Sequence, residues 1–312
     1  MKTVLIIGGY GFLGMNIIKF IDDYLKDTYR VVVFDKFSSN RSGLVLNCVE
    51  KSYSGDFSDS MMVERLFSEN QIDLVIHSLS TTVPSQSFNA KYDVESNLIP
   101  TIELLNCMAR YSVKDIVYIS SGGAIYGDSS IGKHKESEDV FPISSYGVVK
   151  LAIEKYMMQY AELFGFRPLI LRLSNPFGPF HYSKQQGVCN VALDSAISQK
   201  PFVVWGNGTA KKDYIFVTDF VKIMFRLLED GVHNRVINVG SGNLASVDEI
   251  LKWVKQLVPS FSWTYGEASK YDVARFELDT EILHGLIGNY DFVGIEDGLK
   301  QLFEWEKTNM AV

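Results

Sequence analysis

"VLIIGGYGFLGMNII", residues 4–18, runs an apolar strand pattern through three glycines and straight into a helical pattern. Gly8, Gly11 and Gly14 stand at the spacing G-x-x-G-x-x-G. Such a junction needs a residue free of Cβ clash at the turn, close backbone approach for a pyrophosphate, and tight packing of helix on strand. The helix opens at Phe12 and Leu13, where unpaired N–H groups and the positive end of the helix dipole attract phosphate. Three glycines also describe an ordinary strand–helix turn, so they need support from the next strand. A dinucleotide site calls for an acid at the end of that strand, and Asp35 closes "RVVVFD". A carboxylate there suits the adenosine ribose hydroxyls and repels a 2′-phosphate, which favours NAD over NADP; Lys36 beside it softens that preference. Asp56, in "SGDFSD", ends the next short strand and has two open readings: a contact at the adenine edge, or an N-cap for the following helix.

Outward from this unit the pattern repeats. "TVLII", "RVVVFD", "DLVIHS", "DIVYIS" and "RPLILRLS" are nearly continuous apolar strands, separated by helical stretches such as "SMMVERLFSEN" and "TIELLNCMARYS". Strands apolar on both faces belong to a parallel sheet covered by helices on each side. This predicts an α/β fold with a doubly wound, Rossmann-type sheet over residues 1–174. After Asn175 the alternation weakens into Gly-, Pro- and Asn-rich loops, which predicts a smaller, discontinuous lobe over 175–212 and 241–312. Residues 213–240 read as a strand–helix–strand returning to the main sheet.

Composition narrows the function classes. The chain has 312 residues, a formal net charge of −7 and a pI near 5.3, which disfavours a nucleic-acid-binding surface. Cys48, Cys107 and Cys189 are widely spaced with no C-x-x-C, which fits a reducing compartment. The glycines interrupt the apolar start short of a secretory leader, and no stretch reaches membrane-spanning length, so the cytoplasm is the expected location. No His/Asp/Glu cluster suggests a metal. His77, within an apolar strand, reads as a buried, satisfied histidine, and Asp213 and Asp219 read as structural.

In "SSYGVVKLAIEKY", Tyr146 and Lys150 lie one helical turn apart. A nearby ammonium stabilises a phenolate and lowers the phenol toward neutrality, which makes the tyrosine an acid/base. The pair is common on amphipathic helices, and position is what distinguishes it. This helix comes after "SSGGAIYG" at the carboxyl end of a strand, where ligands of such folds bind.

Together "IGGYGFLG", Asp35, "VIHSLS", "ESNLIPT", the Y-x-x-x-K, "LRLSNPFGP" and "WGNGTAKKDYIFVTD" resemble the extended short-chain dehydrogenase/reductase family. The likeness is strongest to its NAD-dependent nucleotide-sugar epimerase/dehydratase branch, with UDP-hexose 4-epimerases nearest. The resemblance implies that Tyr146 takes the proton of the sugar 4-hydroxyl as hydride leaves C4 for NAD, and that the 4-keto sugar turns over before hydride returns. Lys150 would also bind the nicotinamide ribose. Asn97 is implied at the cofactor, Asn175 at the sugar or its phosphate, and Gln186 and Val188 at the nucleotide; Trp205 reads more readily as a core aromatic. A homodimer through helices including the one bearing Tyr146 is also implied.

Three departures from the family pattern stand out. The usual Ser or Thr four residues before Tyr126 is Gly122, which leaves Ser121 as the neighbouring candidate hydroxyl. The Asp-Glu pair of related 4,6-dehydratases is Gly123 and Ala124, which argues against dehydration. The arginine before "DYI" is Lys212, and a second arginine is replaced by Lys270, with Arg275 as a displaced alternative. A 4-ketoreductase of nucleotide-linked deoxysugars using NAD(P)H, and a non-catalytic NAD-binding sensor, remain as rival readings.

Overall fold

The structure is a computed structural model that describes residues 1–84, 87–127, 132–184, 186–267 and 275–310. In chain order the strands are β1 (Lys2–Ile7), β2 (Tyr29–Asp35), β3 (Val49–Ser54), β4 (Leu74–His77), β5 (Asp115–Ser121), β6 (Arg167–Leu173) and β7 (Asn175–Phe177). They continue with β8 (Phe202–Trp205), β9 (Lys211–Phe216), β10 (Arg235–Val239), β11 (Leu244–Ser246), β12 (Trp263–Gly266) and β13 (Arg275–Phe276). Seven form one all-parallel sheet in the order β10-β6-β5-β4-β1-β2-β3. The expected doubly wound sheet is present.

Successive side chains on a strand point to opposite faces, and here both faces are buried. Val4, Ile6, Val31, Val33 and Ile76 enter one core, while Leu5, Ile7, Val32, Phe34 and Val75 enter the other. That is why these segments read as unbroken apolar runs. β3 is an edge strand, and its Glu50, Lys51 and Ser52 are exposed, which protects the edge from pairing with another chain.

The helices that place the site are α1 (Phe12–Phe20), α2 (Ser60–Ser68), α3 (Ala90–Asp93), α4 (Ile99–Arg110), α5 (Gly122–Ile125), α6 (Ser145–Phe164), α7 (Val188–Ile197) and α8 (Val217–Glu229). The strand order turns back on itself at β1, so a crevice opens beside its carboxyl end, where open α/β sheets bind ligands.

Beyond β6 the chain builds two smaller sheets: β7, β9, β11 and β13, with β9 at the centre, and the pair β8–β12. The strand–helix–strand unit expected over 213–240 is split between the two parts. β9 belongs to the smaller sheet, whereas α8 packs on the large core and β10 joins the large sheet. The reason is again alternation: Tyr214 and Phe216 of β9 enter the smaller core, while Ile215 between them enters the large one. The helix Glu281–Ile287 also contributes Leu283 and Ile287 to the large core, a second return that the sequence reading did not include. Among the described residues no helix is long and apolar enough to cross a membrane.

Candidate active site

The carboxyl ends of the central strands open into a cleft of about 1960 Å³. A pocket for one small ligand measures roughly 300–1,000 Å³, so this cleft has room for two.

At one end lies the glycine turn. Gly8 has φ +81°, and a Cβ on it would stand 2.9 Å from Leu79 Cα. A Cβ on Gly14 would stand 2.3 Å from Gly8 O, so α1 seats against the turn only with glycine there. Gly11 is the N-cap of α1 and has no side chain to cap it, and the first turn carries no acid. The N–H groups at that end are left for an anion. Phe12, Leu13 and Asp35 line the cleft. Asp35 accepts hydrogen bonds from Tyr10 N (2.9 Å) and Phe37 N (3.1 Å), so the acid that would meet a ribose also ties the turn to β2. This cradle fits a dinucleotide.

The two readings of Asp56 separate. The N-cap of α2 is Asp59, which accepts from Met61 N and Met62 N. Asp56 instead lines the cleft, accepting from Ser58 N and Oγ, and these hydrogen bonds hold its carboxyl below the usual carboxylate range. Asn97 is not among the cleft-lining residues. It lies in the widened helical turn Val94–Leu98 and pins Thr81, accepting from its N–H (2.9 Å) and donating to its hydroxyl (2.6 Å).

At the other end stands the pair on α6. Ser144 caps the helix by accepting from Gly147 N, and a Cβ on Gly147 would meet Ala124 O at 2.2 Å. The start of α6 is thus pressed onto α5, which sets Tyr146 into the cleft. The amide of Tyr146 donates to Ser87 Oγ (2.6 Å). Burial pushes its phenol up to about 12, and Ser121 and Ser80, which line the same cleft, act to lower it. Lys150 donates to Ile119 O (3.0 Å) and lies 5.7 Å from the Tyr146 ring centroid. Burial lowers Lys150 to about 8, opposed by Glu154 one turn on. The expected lowering of the tyrosine by its lysine is therefore not met: burial dominates, and the ammonium points at a backbone carbonyl.

Of the remaining expected residues, Asn175, Gln186, Val188 and Lys212 all line the cleft, and Asn175 Nδ2 donates to Asp213 O (2.9 Å). Trp205 also lines it and is 67% exposed, so the core assignment is overturned; β8 lies at the margin of the smaller lobe. Arg275 is paired with Glu277 (2.8 Å) and does not line the cleft, and Lys270 lies outside the described residues. Lys211 faces Glu249 across 3.9 Å. His77 pairs through Nε2 with Thr101 (2.9 Å), and burial pushes it down to about 3. Asp213 holds Ser241, and Asp219 holds Tyr290 and Val293.

Ser80 and Arg41 are among the cleft residues that the sequence reading did not single out. Ser80 lines the cleft with Tyr146 from the loop after β4. Arg41 lies over the Phe37 ring (4.3 Å) near Asp35. Position was the available signal for the first, because Ser80 comes just after a strand whose carboxyl end faces the crevice.

Comparison with known proteins agrees with this geometry. The chain matches the NAD dependent epimerase/dehydratase family over residues 4–240. The crystal structure of a Thermotoga maritima UDP-glucose 4-epimerase with UDP-glucose superposes with a TM-score of 0.90 at 27% identity, covering 99% of this chain and 100% of that one. A Halalkalibacterium halodurans UDP-glucose 4-epimerase is 28% identical over 274 residues, 82% of this chain and 80% of its own. A Mus musculus dTDP-D-glucose 4,6-dehydratase is 27% identical over 323 residues, 99% of this chain and 89% of its own. The match runs from β1 to the end of β10 and takes in the glycine turn, Asp35 and the Tyr146/Lys150 pair: the chain belongs to the NAD dependent epimerase/dehydratase family.

Proposed function

We propose that the protein is a nucleotide-sugar 4-epimerase that acts on a UDP-hexose. The observation that carries this reading is the Tyr146 phenol, flanked by Lys150 and sharing one cleft with Ser121 and a dinucleotide cradle. Bound NAD supplies reversible oxidation at the sugar C4. Tyr146 takes the proton of the C4 hydroxyl and later returns it to the same oxygen. A phenol near 12 needs help to ionise, which the Lys150 ammonium 5.7 Å from its ring centroid and the Ser121 hydroxyl in the same cleft would give once substrate and cofactor are bound. The N–H groups at Phe12 and Leu13 receive the cofactor pyrophosphate, Asp35 the adenosine ribose, and Asp56 the adenine edge. Asn175, Gln186 and Val188 hold the nucleotide sugar, with Lys212 as a point charge toward its diphosphate.

The same cleft speaks against dehydration, which needs an acid and a base besides the tyrosine. The two positions that the resemblance assigns to them are Gly123 and Ala124, and a Cβ on Gly123 meets nothing within 4 Å. Exposed Ile99, Val148 and Tyr156 on α4 and α6 support a homodimer through these helices, which light scattering tests.

Proton NMR of the NAD-loaded protein with UDP-glucose, UDP-galactose and their N-acetyl forms, without added reductant, tests the activity. The 4-epimer appears with no net NADH. No conversion of any of the four sinks the UDP-hexose reading and moves the 4-ketoreductase to the front.

A further inference from the structure

Beneath the Tyr146/Lys150 pair lies an ion pair that the chemistry above does not use. Glu154 and Arg172 are 2% and 3% exposed, and Arg172 Nη2 lies 2.8 Å from Glu154 Oε2. Such a pair adds little to stability over apolar residues of the same volume, so its partners are the guide to what it does.

Tyr146, Lys150 and Glu154 follow one another at single-turn spacing on α6, so they share a face. That face meets three consecutive residues of β5. Lys150 Nζ stands 4.7 Å from the Tyr118 ring centroid and donates to Ile119 O (3.0 Å), and Ser120 Oγ donates to Glu154 Oε1 (2.6 Å). Arg172, in register with Ser120 on β6, holds the same carboxylate through Nε and Nη2. Its Nη1 donates to the Tyr126 hydroxyl (2.9 Å), which donates in turn to Asn238 Oδ1 of β10 (2.6 Å). The turn of α6 behind the lysine is thus fastened by Glu154 to β5 and β6 directly, and to β10 through Tyr126. Charge-assisted hydrogen bonds of this kind are short and fix geometry.

We propose that Glu154 is a positioning residue, which through Ser120 and Arg172 holds the Lys150 ammonium on the end of β5 beside Tyr146. The inference rests on the epimerase reading for what Tyr146 does, but the contacts are independent of the sugar. The carboxylate is also the negative charge next to the lysine along the helix. Burial brings Lys150 down to about 8 with Glu154 acting against it, so the margin for a charged lysine at neutral pH is narrow.

The other groups around Lys150 do not take this part. His77 of β4 is pushed down to about 3 and Tyr118 of β5 well up, both by burial, so both are neutral at neutral pH. Burial pushes Tyr146 on α6 and Tyr126 after α5 up to about 12. Asp93 of α3 is bonded to Ser87, which accepts the Tyr146 amide, and Glu95 in the next turn pairs with Lys91 (3.6 Å). Arg172 of β6 is matched to Glu154 itself.

The test follows the Lys150 Cε resonance of the full-length protein, carrying isotope-labelled lysine, through a pH titration; the resonance is assigned by its loss in Lys150→Met. Glu154→Gln keeps the shape and an acceptor for Ser120, but removes the negative charge and leaves the Arg172 guanidinium unopposed. An opposite charge at this range moves a midpoint by about one unit or more, so the protonated fraction of Lys150 falls about ten-fold at each pH well above the wild-type midpoint. Glu154→Asp, which keeps the charge, recovers most of that fall. The alkaline limb of sugar turnover moves to lower pH by the same amount. An unchanged Lys150 titration in folded Glu154→Gln overturns the proposal, because a residue that only braced the helix would lower the melting temperature and leave the lysine alone. Where the lone guanidinium keeps that variant from folding, the neutral pair Glu154→Gln/Arg172→Met takes its place, since removing both charges spares the fold. The same direction is expected there, and an unchanged midpoint counts equally against the proposal. Should the titration shift while none of the sugars is converted, the positioning role stands and the epimerase reading falls. Conversion with an unshifted titration has the reverse meaning.

Discussion

A Cβ on Gly14 would lie 2.3 Å from a backbone oxygen, whereas a Cβ on Gly123 would meet nothing within 4 Å. The first glycine stands at the cofactor end of the cleft and the second at the sugar end. At the cofactor end the backbone is the binding surface: a turn with positive φ, a helix seated on it, and an acid clamped by Tyr10 N and Phe37 N. Few residue types can build that. At the sugar end the surface is made of side chains from separate strands and loops, so although Gly122 carries no hydroxyl, those of Ser80 and Ser121 line the cleft with Tyr146. Geometry set by backbone contact constrains the residue at a position. Chemistry set by converging side chains constrains only the sum.

The contrast predicts separable losses. Tyr146→Phe touches the sugar end alone: conversion falls by about 10²–10⁴-fold, while NAD binding, followed by protein fluorescence, stays within a few-fold. Retained conversion would remove Tyr146 from the chemistry.

Lys150 serves the sugar end at a cost to the fold. In the folded chain it loses its proton near 8, against an ordinary value of 10.5. Between those values the unfolded chain binds more protons, so this residue makes the protein more stable as pH rises through that window, by about 3 kcal/mol in full. Lys150→Met removes the dependence. The variant is the more stable protein at neutral pH in urea melts, the advantage shrinks toward about pH 10, and activity is lost. Parallel stability curves for the two proteins would contradict this.

Gly14→Ala strikes the cofactor end. Overpacking against Gly8 O lowers stability by about 1–3 kcal/mol, and the variant purifies with little NAD, as absorbance of the denatured extract would reveal. The smallest effect sharpens the adenine edge. Asp59→Ala removes the cap of α2 and costs about 1 kcal/mol in thermal unfolding without weakening NAD. Asp56→Ala does the reverse, weakening NAD with little change in melting.

The division between backbone and side-chain surfaces also governs what is legible without the structure. "VLIIGGYGFLGMNII" and the closing Asp35 announced the cradle, because a strand, a glycine turn and a helix are contiguous in the chain. Ser121 was reached by proximity to Gly122 alone, and it lines the cleft that Tyr146 also lines. Ser80, which lines the same cleft, was passed over, since it lies 66 positions from Tyr146 and nothing local distinguishes it from the other serines and threonines in "SLSTT". Trp205 and Arg275 were misjudged for a related reason. Whether an aromatic faces a core or a cleft, and whether a cation is already paired with Glu277, depends on what packs beside it.

Local covalent geometry and hydrophobic periodicity act over a few residues, so the chain alone specified the parallel sheet, its phosphate turn and the Tyr146–Lys150 helix. Which core each face of β9 enters, whether Asp56 or Asp59 caps α2, and which hydroxyls share the cleft with the tyrosine were decided only on folding. Those contacts join residues far apart in sequence, and burial then sets the ionisation of Tyr146 and Lys150, a property of the packed site that no linear pattern encodes.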